Sequence, residues 1–479
     1  MAAVAAAALI GGTAAPLAAA PEAAAAPLAA PLATAPQAAA ALAPPSAFAW
    51  GDNELGQVGN GSKATPEFDS PLSVTLPAAV NQIAASSDEF ASAAVLATGK
   101  VEVWGSNAYG EAGPGAPNPS LSPELISGLT GIIQIAVGGG HVLALDSAGT
   151  VWSWGNNTYG ELGNGTTSSL PYSNPSPVPV PGINGIVQIA AGGSFSLALR
   201  GDGTVYAWGL NSSGQLGDGT TVDRDSPEAL PALAGEVSRL IAGDQTSYAI
   251  RPDGSLLSWG SNSGGLLGRG AGAPGFSATP TLVPGLTGVT QVASSAAATL
   301  AVADPAATMW TWGPNSGGES GDGTTTAHAT PEQTSLTGVA RVAVGGLMGA
   351  AVLSTGTLMT WGENQDGQLG QGSHDTSVHS TPAPVRTLAG VSQVALSYFS
   401  GLAIGSPAPR IPSVIGQSQA EAAQTLQAAG FVLGRVSTVV DITCEYLGEV
   451  KTQSPAAGTL DPPGTAVAVS IGKAGGKCL

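Results

Sequence analysis

The residues of this 479-residue chain with the widest chemical reach are its four histidines, His141, His328, His374 and His379. His374-Asp375-x-x-x-His379 puts two imidazoles and a carboxylate within six positions, the beginning of a metal site. A zinc centre needs three or four ligands at firm spacing, and no third partner is evident, so no metal is expected. His141 closes the turn Gly138-Gly139-Gly140-His141. Corresponding turns along the chain carry Phe195, Thr246, Thr299 and Met348 in its place, which points to packing rather than proton transfer. No G-x-S-x-G elbow, H-E-x-x-H pair or phosphate-cradling loop is present. The Asp-Gly pairs at Asp202 and Asp253 read as turns. The expectation is a non-enzyme with no cofactor.

Binding is better supplied. Asp88, Glu89, Phe90, Phe195, Leu347, Met348, Tyr398 and Phe399 all fall in one recurring turn and break its small-residue pattern. Gathered on one rim, aromatic and acidic side chains make a protein-binding face; ordinary turn variation is the competing reading. The net charge is −18, and residues 47–405 hold nine Lys/Arg against 26 Asp/Glu. A surface of that sign repels phosphate backbones, so no nucleic-acid partner is expected; the charge suits a cationic partner or serves only to keep the protein soluble.

The elements that must position these residues are set by a repeat. W-G-x-N-x-x-G-x-x-G-x-G occurs seven times, at Trp50, Trp104, Trp154, Trp208, Trp259, Trp312 and Trp361, at spacings of 49 to 54 residues. A period of that length marks units that bury their cores only against neighbours. Each unit holds three β-type runs, as in Gln188–Ala191, Phe195–Leu199 and Val205–Trp208, separated by Gly-Gly and Asp-Gly turn signals. The Trp run is apolar or small on both faces, as a strand covered on both sides must be. The chain enters on a lone Trp run, Ala47–Trp50, and leaves on two runs without one, Gln393–Leu396 and Gly401–Ile404. Joined, these ends complete one unit and close a circle, removing exposed sheet edges.

The pattern Ile-Ala-x-Gly-Gly, Leu-Ala-Leu, Asp-Gly-x-Val-x-x-Trp-Gly-x-Asn-x-x-Gly-x-Leu-Gly resembles the regulator-of-chromosome-condensation repeat family over residues 47–405. The resemblance implies an all-β, seven-bladed β-propeller that serves as a binding platform. The unit around Trp312 departs most, with Asp304-Pro305-Ala306-Ala307 in place of Asp-Gly. The founding member exchanges nucleotide on a nuclear GTPase and binds chromatin; this sequence lacks a basic arm for chromatin and reads as leaving the cytoplasm, so that activity is not carried over.

Residues 1–46 are nearly all Ala, Pro, Leu and Val, and read as an export-signal-like, low-complexity segment. Residues 406–410 read as a short stiff linker. Beyond it, Ile411-Pro412-x-Val414-Ile415-Gly416, a capping box at Ser418–Glu421, a helix ending in Ala428-Ala429-Gly430 and the turn Gln453-Ser454-Pro455-Ala456-Ala457-Gly458-Thr459 resemble a PASTA domain over 411–472, followed by a tail, 473–479. That resemblance implies a bacterial, extracytoplasmic setting and a possible peptidoglycan ligand. Cys444 and Cys478 are the two cysteines, a disulfide if the protein is exported. The expected protein is a monomeric, secreted or wall-associated propeller that binds a protein or wall component. The rival readings are a secreted propeller-type inhibitor of a cell-wall or β-lactamase enzyme and, behind it, a guanine-nucleotide exchange factor.

Overall fold

The computed structural model describes residues 46–86, 91–168 and 174–475. It contains seven four-stranded antiparallel sheets, one three-stranded sheet and a single α-helix. In blade 3, for example, the strands are Ile186–Ala191, Phe195–Arg200, Val205–Gly209 and Arg224–Ala229, from the axis outward. Blades 1 to 6 begin at Val80, Ile132, Ile186, Arg239, Val289 and Val339. Blade 7 draws on both ends of the chain. Leu388–Leu396 and Ser400–Pro407 supply its inner strands, Ser46–Asp52 its third and Glu67–Ser73 its outermost. Ser46–Gly51 lies antiparallel to Ser400–Gly405, from Ser46 opposite Gly405 to Gly51 opposite Ser400.

The three runs legible in each unit are the inner three strands. The fourth lies in the long segment after each Trp motif, where the sequence shows only a loop; Asn174–Pro179 occupies such a stretch. These outer strands are proline-rich, as in Asn174-Pro175-Ser176-Pro177-Val178-Pro179. A residue without an N–H is tolerated there because an edge strand pairs on one side only.

The cores lie between blades. Trp208 packs with Leu143, Leu145 and Val151 of blade 2 and with Ile186, Ile189 and Ala198 of its own blade. All seven motif tryptophans are fully buried. The innermost strands enclose an axial channel of about 290 Å³, lined by small side chains that include Ala84, Ala136, Ala190, Ala242, Ala293, Ala343 and Ala395, one from each blade.

The C-terminal module begins after a strand that runs to Pro407, so the first residues of the expected linker are part of blade 7. Its helix, Gln419–Ala428, carries the capping box, with the Ser418 side chain accepting from the Glu421 N–H. Ala422 and Leu426 pack on Phe431, Val450, Val467 and Val469. Val432–Asp441 runs parallel to Ala466–Ala474, which pairs antiparallel with Val450–Ser454. Cys444 is disulfide-bonded; Cys478 lies outside the described residues, as does the signal-like segment up to residue 45. Among the described residues no helix is long and apolar enough to cross a membrane.

Candidate functional site

The Trp motif builds the joint between blades, apart from the Gly after the Trp, which lies against the inner turn of its own blade, as Gly155 does at Gly140 O. Each indole N–H donates to the backbone carbonyl of the residue seven past the previous blade's Trp: Trp104 to Gln57, Trp154 to Glu111, Trp208 to Glu161, Trp259 to Gln215, Trp312 to Leu266, Trp361 to Glu319 and Trp50 to Gln368, all at 2.7–2.9 Å. The motif Asn holds the loop that presents this carbonyl. In blade 2, Asn157 Oδ1 accepts from Leu162 N–H and its Nδ2 donates to Thr166 O. Gly163 is required twice over: φ is +66°, and a Cβ would stand 2.7 Å from Trp208 Nε1. The motif tryptophans are therefore staples between blades.

A second ring, whose function the sequence reading passes over, joins the innermost strands. Gln82 donates to Ile135 O and accepts from Ile135 N–H, Gln134 does the same with Ile189, and Gln188 with Leu240. Arg239 bonds Thr290 O, Gln291 bonds Ala340 O and Arg341 bonds Ser392 O. Gln393 accepts from Ile83 N–H and so links blade 7 to blade 1. The recurring Gln before Ile-Ala was the available signal.

The position seven past each Trp holds Gln at 57, 215 and 368, Glu at 111, 161 and 319, and Leu at 266. For Gln and Glu alike a side-chain oxygen accepts a local N–H, as Gln215 does from Ser213, Glu161 from Tyr159 and Glu319 from Gly317. Burial pushes the Glu161 and Glu319 carboxyls up, and Glu161 Oε1 is buried with no hydrogen-bond partner. Gln in this slot leaves an unpartnered amide instead, as Gln215 and Gln368 Nε2 show, so Glu161→Gln and Glu319→Gln gain only by removing the charge, at most about 1 kcal/mol each, and additively because they sit in different blades. A carboxyl with a raised folded pKa contributes fully below the ordinary Glu value and less as pH rises through the folded one, so the gain should grow from pH 5 to pH 8. Urea titrations at both pH values would decide; a loss at both would refute it.

The histidines do not assemble. His374 Nδ1 lies 2.9 Å from Asp69 Oδ1, whereas His379 Nε2 lies 3.1 Å from Asp375 and His328 Nε2 2.7 Å from Asp322. Among the described residues no group of three or more His, Cys, Asp or Glu is placed to hold a metal.

Of the expected rim residues, Phe195 and Met348 are corrected. Both side chains are fully buried between blades, because the first residue of the second strand points into the core rather than out of the turn. Asp88, Glu89 and Phe90 lie outside the described residues. Leu347, Tyr398 and Phe399 are half-buried at the turns of blades 6 and 7. Tyr398 and Phe399 meet edge to face, centroids 4.5 Å apart. Backbone bonds bring acids to the same place, Asp52 N–H to Phe399 O and Glu363 N–H to Leu347 O. Burial raises the Asp52 carboxyl, with repulsion from Glu54 and Asp366 adding to it; burial and Glu54 raise Asp366 likewise. Among the described residues, the seven inner turns and the four residues after each Trp-Gly carry Asp52, Glu54, Asp244, Glu363 and Asp366 but no Lys or Arg. The result is an acidic and aromatic rim without Lys or Arg among its described residues, where His374 is the cationic group acting on Asp366.

Comparisons with known proteins fit this architecture. The regulator of chromosome condensation (RCC1) repeat matches residues 98–145, 148–199, 202–250, 253–302 and 355–404, and a second form of the repeat matches 132–161 and 186–215. The chain belongs to the RCC1 repeat family, and residues 409–473 match the PASTA domain. The matched stretches skip the unit around Trp312, where Asp304-Pro305-Ala306-Ala307 replaces the Asp-Gly turn and Ala307 takes a φ of +48°.

Among curated relatives, the E3 ubiquitin-protein ligase HERC2 of Homo sapiens is 32% identical over 253 residues, 51% of this chain and 5% of HERC2. The ultraviolet-B receptor UVR8 of Arabidopsis thaliana is 33% identical over 279 residues, 58% of this chain and 62% of UVR8. The chain thus spans less than two thirds of either relative. Human WBSCR16 superposes with a TM-score of 0.68 at 23% identity, covering 76% of this chain and 99% of that one. Yeast RCC1 (Prp20), solved with Kap60, gives 0.67 at 20% identity, covering 80% and 92%. At these identities the likeness shows the fold. Fold and family together make the chain a binding propeller with a PASTA domain.

Proposed function

We propose that the protein is an exported, non-catalytic propeller that captures a basic protein segment on the rim of blades 6 and 7, and that its PASTA domain associates with peptidoglycan. The observation that carries this reading is the rim itself, where Tyr398 and Phe399 stand beside Asp52, Glu54 and Asp366 with no Lys or Arg among the described residues of the inner turns. A cationic chain would relieve the mutual repulsion of these acids while its Arg or Lys heads lie over the aromatic faces. The Ala- and Pro-rich N-terminal segment and the PASTA match support a setting outside the cytoplasm.

The test is affinity capture from a cell envelope, followed by titration of the captured protein. Tyr398→Ala with Phe399→Ala, and separately Asp52→Asn with Glu54→Gln and Asp366→Asn, should each weaken binding at least about ten-fold, the loss of one hot spot. The acid-dependent part should fade with salt. Undiminished binding by both variants would remove the rim from the account. Cell-wall co-sedimentation should require residues 411–472. Tight inhibition of a β-lactamase that is insensitive to the rim variants would favour the inhibitor reading instead.

A further inference from the structure

The junction between propeller and PASTA domain is built, not merely traversed. Strand Ser400–Pro407 starts at the Tyr398-Phe399 turn and crosses the whole blade, roughly 25 Å for eight residues. It delivers the chain to the face opposite the acidic rim. There Ala408 is buried and its N–H donates to Thr387 O, in the connection that leads into the innermost strand of blade 7. Asp461 N–H donates to Pro409 O, Arg410 pairs with Leu460, and Ile411 N–H donates to Thr459 O. Ala408 is thereby tied to the propeller and residues 409 to 411 to the PASTA domain, so the free connection between the modules shrinks to the 408–409 link.

Across this seam runs one ion pair, Arg386 Nη1 of the propeller to Asp461 Oδ1 of the PASTA domain. The Asp461 side chain is fully buried while the guanidinium is half exposed. Among the described residues Arg386 is the only cation in a salt bridge with Asp461, and Asp461 Oδ2 is buried with no hydrogen-bond partner. A buried carboxylate whose counter-ion comes from another module resists separation, because parting them leaves an uncompensated charge. Propeller and PASTA domain accordingly fall within one compact unit.

We infer that the two modules form a single rigid body pinned by Arg386 and Asp461, so that the acidic rim is held pointing away from whatever the PASTA domain engages. The rigidity stands on the junction alone; its use in displaying the rim rests on the function proposed above.

Limited trypsinolysis of the full chain, cutting after Arg410, reads the junction directly. Arg386→Gln and Asp461→Asn should each speed cleavage there at least ten-fold. All nine tryptophans lie within the propeller, so an unchanged tryptophan-fluorescence melt would show that the blades are intact. Arg386→Gln alters no PASTA residue, which separates loosening of the seam from unfolding of the module. Small-angle scattering of the unmodified chain should fit one fixed arrangement and that of Arg386→Gln a broadened one. Wild-type cleavage as fast as in the variants, or wild-type scattering that requires independently moving modules, would overturn the inference. Rim binding that survives such a result would leave the proposed function standing.

Discussion

Trp50→Ala is expected to cost about 3–5 kcal/mol, the range for removing a large buried aromatic from a packed core. The ring is fully buried, packs with Met348, Ala350, Leu358 and Leu369 of blade 6, and donates its N–H to Gln368 O at 2.8 Å. A Cβ on Gly370 would stand 2.8 Å from Trp50 Cδ1, so the pocket is shaped to this side chain and cannot readily collapse on a smaller one. Trp50 also belongs to the N-terminal strand that completes blade 7. Its loss should free that strand and expose residues 46–52 to protease, whereas Trp208→Ala, inside a blade made from one continuous segment, should destabilise without that fraying. Trp50→Phe keeps most of the volume and loses mainly the hydrogen bond, about 1 kcal/mol. Urea denaturation measures all three; a change below 1 kcal/mol for Trp50→Ala would mean that the ring is not held shut at this seam.

The second large effect is acid lability through His141. The side chain is fully buried, and its pKa is pushed down to about 4 by burial. Ser196 Oγ lies 3.0 Å from His141 Nε2 and gives its own proton to Glu161 O, so Nε2 must carry the hydrogen. Nδ1 is then the unprotonated nitrogen, buried without a partner. The unfolded chain takes up the proton first as pH falls below the ordinary histidine value near 6.5, while the folded chain resists until about 4. Stability is therefore whole above pH 6.5 and is lost as pH falls through that window, by about 3 kcal/mol at most. His141→Phe, the residue used in the same slot by blade 3, should remove this slope between pH 6.5 and 4 and leave stability at pH 8 within about 1 kcal/mol. An unchanged slope in the variant would assign the acid sensitivity elsewhere.

Much of the architecture was legible because a propeller repeats its constraints. Seven copies of Trp-Gly-x-Asn specify seven inter-blade staples, and the incomplete units at the two ends specify which strands share a blade. The capping box at Ser418–Glu421 marked its helix start to the residue, since both partners lie within one turn. The outer strands were hidden because edge pairing tolerates proline and needs no alternating apolar pattern, so Asn174–Pro179 reads as loop.

The candidate site was half legible for a different reason. The sequence by itself determined which turns depart from the repeat, and so named Leu347, Tyr398 and Phe399. It did not determine which departures face outward: Phe195 and Met348 sit one position further along, where the strand's alternation turns them inward. Nor did it join Asp52 and Glu54 to Asp366 and the aromatic pair, because residues more than 300 apart become neighbours only when the terminal strand completes blade 7. The seam at Arg386 and Asp461 is likewise a property of packing alone. Local pattern fixes what depends on neighbours in sequence; charge clusters and ion pairs depend on distances in space, and those belonged to the closed ring.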